Sequence, residues 1–195
     1  MRSRIVDAAF DRLLAGGYTA TTIGAVQTAA GVARGTLLHH FPTRAALLVA
    51  VVEDIAERRL RILDDGARPA GWDGVVDLVW RDLRSPSFLA ALELWVAART
   101  DAELRAALLP VQARLFAGVH DAVADLLGST DDPRTPTLVQ FTIDLLTGSV
   151  MAGLLGDDVE TNRVVERWRR TVQALADLPE LPWSPSTTPA AAPRC

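Results

Sequence analysis

The sequence predicts an all-α fold, on three observations. Apolar residues recur every three or four positions through most of the chain, the period of a helix with one buried face. Stop and start signals (Gly16-Gly17, Gly31, Ser85-Pro86 and Thr135-Pro136) cut that pattern into helix-length pieces. No run alternates apolar and polar residues as a half-buried strand would, and no segment repeats.

The elements follow in order. Ile5, Ala9 and Leu13, with Val6, Phe10 and Leu14, form one apolar stripe, so residues 2–16 predict a first helix that Gly16-Gly17 stops. Thr21 or Thr22 caps a second helix running to about Ala30, because a threonine hydroxyl accepts one of the free amide protons at a helix start. Gly31 reverses the chain into a third helix over about 33–40. Pro42 forbids its continuation, and Thr43 caps a fourth helix reaching about Asp64. The apolar positions of that helix (Leu47, Leu48, Val51, Ile55, Leu60 and Ile62) spread widely enough to pack on more than one side.

Asp64–Gly71 reads as a loop, followed by a helix from Trp72 to Arg84 that buries Val76, Val79, Trp80 and Leu83. Ser85-Pro86 caps a sixth helix to about Arg99, with Phe88, Leu92, Trp95 and Val96 as its apolar residues. Thr100 and Glu103 form a capping-box pattern opening a seventh, in which Pro110 predicts a kink or restart. Thr135-Pro136 opens a helix over about 136–155, and a last one covers 158–177. From Pro179 the chain holds five prolines in 17 residues and reads as a flexible tail.

Composition narrows the function classes. Nearly half of the 195 residues are hydrophobic and 23% are charged, which suits a packed core. Apolar runs break well before 18 residues, so no membrane span or secretory signal is predicted. The single cysteine, Cys195, can form no internal disulfide and fits a reducing cytoplasm. Every basic side chain is Arg. Residues 1–50 hold five Arg against two Asp, and the rest holds 15 Arg against 22 acids. A basic head on an acidic body suits an oriented contact with DNA phosphates. Three His and one Cys are too few and badly spaced for a metal cluster, and neither a glycine-rich phosphate loop nor a serine nucleophile elbow occurs. The expectation is therefore a non-enzyme with no cofactor and no metal.

Thr21–Arg44, TTIGAVQTAAGVARGTLLHHFPTR, has the layout of a helix-turn-helix over about Thr22 to Phe41. Val26, Ala30, Val32, Leu37 and Phe41 supply its core. Thr22 can hydrogen-bond a phosphate. Ala33 opens the reading helix with a small side chain, and Gly35 lets its backbone approach the groove floor. Arg34 can take guanine O6 and N7 together, and Thr36 a base edge or a thymine methyl. His39 and His40 can donate to phosphates, and Arg44 is placed for a phosphate across the groove.

Gly-Val, Arg-Gly-Thr-Leu and His-Phe-Pro in one register resemble the DNA-binding head of the TetR/AcrR transcriptional regulators, over about residues 5–50. The resemblance implies a three-helix head (1–46) joined by a long fourth helix to a ligand-binding and dimerisation bundle (47–178), with 179–195 as a Pro-rich tail. Three positions depart from the family pattern. Leu38 stands where a phosphate-bonding Tyr is usual, Arg44 replaces Lys, and Ala33 replaces Ser.

The resemblance further implies a homodimer that reads a palindromic DNA operator, with a small, largely apolar effector releasing it. Candidate effector contacts are Trp80, Phe88, Trp95, Phe116, His120, Phe141 and Asp144, although aromatics at helical spacing are more often core and His120 suits an internal hydrogen bond. Candidate dimer contacts are Phe141, Leu145, Gly148, Val165, Trp168 and Val172. The alternative is a DNA-binding architectural protein with no small-molecule effector, governed by a protein partner. A filled bundle would favour it, and a cavity of several hundred Å³ would favour the sensor.

Overall fold

The computed structural model of the chain describes residues 1–64, 71–128, 132–154 and 158–178. The predicted tail over 179–195, and most of the loop expected between Asp64 and Gly71, lie outside them. The described residues form helices α1 (Arg2–Ala20), α2 (Ile23–Ala30), α3 (Arg34–His40), α4 (Arg44–Asp64), α5 (Gly71–Leu83), α6 (Pro86–Ala98), α7 (Ala102–Leu127), α8 (Thr135–Gly153) and α9 (Asp158–Asp177), with no strand among them. No single described helix is long and apolar enough to cross a membrane.

Local chemistry sets the head's boundaries. Gly17 breaks α1 with φ 71°, a left-handed value that a side chain would strain. Thr22 Oγ1 accepts the Ala25 amide at 3.2 Å and so caps α2. Gly31, at φ 60°, ends α2 in the left-handed conformation and turns the chain into α3. Arg4 reaches from α1 and donates to the carbonyl of Ala30 at 2.8 Å, fixing the other end of the same turn. Thr43 Oγ1 takes the Ala46 amide at 3.0 Å and starts α4.

The buried residues form two clusters. One holds Ile5, Leu13, Val26, Leu37, Phe41, Leu47 and Val51, and it runs on into Leu94 of α6 and Leu104 of α7. The other joins α5, the start of α6, α8, α9 and the far end of α7 around Val75, Phe88, Val123, Leu146 and Val172. Helix α4 serves both: Ile55 packs into the first cluster and Leu60 against the second. A Cβ on Gly118 would fall 2.3 Å from Leu60 Cδ2, so α4 and α7 meet closely there and a larger residue would make the Leu60 side chain turn aside.

Several local expectations need correcting. Helix α7 runs through Pro110 as one element, so the chain does not restart there. Leu104, Leu108, Val111 and Leu115 pack on both sides of the proline, which offsets the lost backbone bond. Asp101, not Thr100, caps α7, taking the Leu104 amide at 2.9 Å. Thr135 is the buried first residue of α8 rather than its cap. Val96 is 56% exposed, while Leu94 is buried. Helix α6 is apolar almost all round, so its buried side cannot be read from spacing.

Candidate functional site

Two places in the fold carry polar groups that packing alone does not explain. The first is the outer face of the head. Leu37, fully buried, anchors α3 to the core, and Leu38 packs beside it. Ala33, Arg34, Gly35 and His39 are exposed, and Thr36 and His40 are half-buried. Arg34 makes no hydrogen bond or ion pair with any described residue. A Cβ on Gly35 would meet nothing within 4 Å, so no internal contact requires glycine there. The rings of His39 and His40 meet edge to face at 5.5 Å. Thr22 accepts in its cap, which leaves the hydroxyl proton of this exposed side chain to donate outward.

Arg44 is placed differently from the phosphate contact expected of it. Its Nε donates to the Thr21 carbonyl at 3.0 Å and its Nη2 to the Tyr18 carbonyl at 2.6 Å. Its guanidinium lies 4.1 Å from the centre of the Tyr18 ring. Tyr18 in turn donates to Asp101 Oδ2 at 2.5 Å. Arg44 therefore serves first to tie the broken end of α1 to the start of α4, and Tyr18 ties the same point to α7. Burial, then the Asp101 hydrogen bond, raise the Tyr18 pKa above its usual value. The Leu104 amide and then the Tyr18 hydroxyl hold the Asp101 carboxyl below the usual carboxylate range.

The second place is the body. Arg59 of α4, 5% exposed, pairs side-on with Asp82 of α5, 3% exposed. Nε lies 3.0 and 3.2 Å from the two carboxylate oxygens, and Nη2 lies 2.6 Å from Oδ2. The side-on geometry uses one edge of the guanidinium. Nη1, on the other edge, is buried without an acceptor among the described residues. Arg59 and Asp82 line an apolar cavity of about 50 Å³ together with Phe88, Trp95, Gln112, Phe116, Ile143 and Thr147. Phe88 and Trp95 meet edge to face at 5.9 Å.

Of the predicted effector contacts, Phe88, Trp95 and Phe116 line this cavity; Trp80, His120, Phe141 and Asp144 do not. Trp80 stacks against Arg84. His120 Nδ1 is 2.8 Å from the Phe116 carbonyl within its own helix. Phe141 is 56% exposed, and Asp144 faces outward and accepts from Gln140 at 2.8 Å. Period alone cannot say which side of α5 or α8 faces α7, and that packing decided these four.

The predicted dimer contacts separate in the same way. Val165 and Val172 are buried inside the protomer, so they are core residues and not interface. Trp168 donates from Nε1 to Thr142 Oγ1 at 3.0 Å, which joins α9 to α8 within one chain. Phe141, Leu145 and Gly148 do face outward to different degrees, near the exposed Met151 and Leu154. Gly148 has open space where a Cβ would stand, whereas Gly153 abuts Thr161 of α9 at 3.3 Å.

Sequence reasoning missed Arg59 and Asp82, although a signal was present. Val52, Ile55, Ala56 and Arg59 lie on one helical stripe, as do Val75, Val79 and Asp82. A charge of each sign at stripe positions on neighbouring helices marks a buried pair. Among the described residues, no group of three His, Cys, Asp or Glu side chains is arranged to hold a metal.

Residues 5–51 match the model of the bacterial regulatory proteins of the tetR family. An HTH-type transcriptional regulator of Mycobacterium tuberculosis is 28% identical over 176 residues, 83% of this chain and 88% of that protein. Among solved structures, the multidrug binding protein EbrR, in a crystal with imidazole, is 26% identical with a TM-score of 0.64, covering 92% of this chain and 96% of EbrR. EbrR is also known in complexes with ethidium and malachite green. A transcriptional regulator of Rhodococcus sp. shares the fold at a TM-score of 0.74, with 16% identity, covering 92% of this chain and 99% of that one.

Proposed function

This chain belongs to the TetR family of bacterial DNA-binding transcriptional regulators, which are not enzymes, and from that premise we propose that it is a repressor released by a small effector. The observation that carries the proposal is the α3 face, where Arg34 and Gly35 are exposed without any role in packing and the exposed His39 rests edge to face on His40. Arg34 reads a guanine, Thr36 touches an adjacent base, and Thr22 and His39 hold phosphates. Arg44 supports this work by bracing the head, and Leu38 adds apolar contact.

Two copies pair through the outer stripe of α8, where Phe141, Leu145 and Gly148 recur at intervals of three and four beside Met151 and Leu154. A two-fold pair of heads then reads a palindrome with half-sites ~34–36 Å apart, about one turn of DNA. The effector binds at the Arg59 cavity and shifts α4, so that the heads no longer fit successive grooves. Coupling of ~1–3 kcal/mol suffices for regulation. Support comes from the cavity's apolar lining and from the ligand complexes of EbrR.

The effector-independent reading also has an observation in its favour. At about 50 Å³, the cavity is far smaller than pockets that hold drug-sized ligands, which run from ~300 to 1,000 Å³. Footprinting on the DNA flanking the gene, followed by gel-shift titration with ligands found to bind the protein, decides between the two. A symmetric footprint weakened by a bound ligand is the expected result. Bound ligands that leave operator affinity unchanged overturn the switch. In sedimentation, Phe141→Glu is expected to shift the protein from dimer to monomer, and an unchanged dimer overturns the α8 interface.

A further inference from the structure

We propose that Arg59 selects the effector, and that it selects a compact aromatic molecule carrying one neutral oxygen acceptor, such as an aryl ketone. The proposal rests on the cavity being the effector site. It begins from the unpaired Nη1. A buried guanidinium N–H without a hydrogen-bond acceptor costs desolvation, which the Phe88 ring, 5.3 Å from the guanidinium carbon, offsets only in part because it supplies no oxygen acceptor. The side-on pairing with Asp82 fixes the direction in which that N–H group points, because Asp82 accepts three contacts from the opposite edge.

The charge state of the pair narrows the chemistry. Arg59 and Asp82 together are neutral. A neutral carbonyl oxygen can satisfy Nη1 and leave the cavity neutral. A carboxylate would bury a net negative charge among Phe88, Phe116 and Ile143. A cation would find the Asp82 oxygens already occupied and an N–H donor facing it. The expected preference therefore differs from the cationic dyes ethidium and malachite green that EbrR holds.

Space comes from the wall on which Arg59 stands. A second small cavity, of about 20 Å³, lies on the other side of Arg59, Trp95, Gln112 and Leu115, which line both. Trp95, half-buried and lining both spaces, is the wall that must move aside for a ring to occupy them together. A planar ring then sits against Phe88, with its oxygen at Nη1.

The position of Arg59 on α4 connects recognition to the head. Its neighbour Arg58 pairs with Asp7 of α1 and lies 4.5 Å from the centre of the Phe10 ring. One peptide bond thus separates a side chain that faces the cavity from one that grips the head. A ligand that draws on Arg59 acts beside an α1 contact.

The test compares acetophenone with α-methylstyrene, a planar isostere in which a CH₂ group replaces the oxygen, by calorimetric titration to millimolar concentration. Benzoate and proflavin serve as the anionic and cationic probes. Because a lone change at Arg59 would leave Asp82 charged and buried, the variant is the double substitution Arg59→Met with Asp82→Leu. The wild type is expected to prefer acetophenone about tenfold, the worth of one hydrogen bond to a charged donor. The double variant should bind the two neutral probes about equally. Equal affinities in the wild type, a preference that survives in the double variant, tighter binding of benzoate or proflavin, or no binding of either neutral probe overturns the assignment. If the preference appears but acetophenone leaves operator affinity unchanged in a gel shift, Arg59 recognition stands and the switch proposed for this cavity fails.

Discussion

Arg34 and Arg59 carry the same guanidinium in opposite surroundings. Arg34 stands on the outer face of α3 in solvent, with no hydrogen bond or ion pair to any described residue. Arg59 is 5% exposed and holds a buried carboxylate on one edge while its other edge has no acceptor. The fold does not need the first and depends on the second. Exposed charge in the head is available to an outside partner at no cost to folding. Buried charge in the body is held by its partner, so stability depends on keeping the pair intact.

Removing each arginine in turn separates the two roles most strongly. Arg59→Ala leaves Asp82 charged and alone, and should destabilise the protein by ~3–5 kcal/mol in denaturant titration. Arg59→Met with Asp82→Leu should recover most of that loss, since an apolar pair of similar volume often matches a buried ion pair. Arg34→Ala should leave stability within ~0.5 kcal/mol of wild type. It should weaken operator binding by ~1–3 kcal/mol and relax one base position in a binding-site selection. A uniform loss on all sequences would make Arg34 a phosphate contact instead.

A smaller effect separates packing from reading within α3 itself. Gly35→Ala should stabilise the head by ~0.5–1 kcal/mol, because alanine is the better helix former and its Cβ has open space. The same change should weaken DNA binding if the backbone there approaches the groove floor. Stability and affinity moving in opposite directions would place the role of Gly35 outside the fold.

The smallest expected effect concerns the junction between the two regions. The pKa of Asp101 is lowered in the folded protein, so the stability it contributes is present above its unfolded pKa and lost as pH falls through the folded value. Asp101→Asn keeps a capping oxygen but removes the titration, and should flatten the acid limb of a plot of urea midpoint against pH. The pKa of Tyr18 is raised, so its contribution is present below the unfolded value and declines as pH climbs through the folded one. Tyr18→Phe should remove that alkaline decline.

Much of the head was legible in advance because its determinants are local. Thr22 caps the amide three residues on, Gly31 takes the left-handed turn, and Pro42 stops α3. Each acts within a few positions, so each leaves a mark in linear order. Leu37 and Phe41, four apart, could be assigned to the core for the same reason, and both are buried. The body was less legible. Phe141 and Phe88 are the same residue type at helical spacing, yet one is exposed and the other fully buried. Val165 and Val172 belong to the protomer's own core because α9 lies against α5 and α8. Arg44 turned inward because Tyr18 and Thr21, more than 20 positions earlier, offered carbonyls at the break of α1.

By itself the sequence determined the all-α class, the placement of every described helix to within a few residues, and the helix-turn-helix with its exposed Arg34 and Gly35. Periodicity, caps and glycine conformations operate over one or two turns, and one strand of text records them fully. Only the tertiary structure decided which charged residues are buried, that Arg59 meets Asp82 across two helices, and which aromatics face the cavity. Those outcomes depend on how helices far apart in sequence rotate against one another. A helix that is apolar on several sides leaves that rotation to packing.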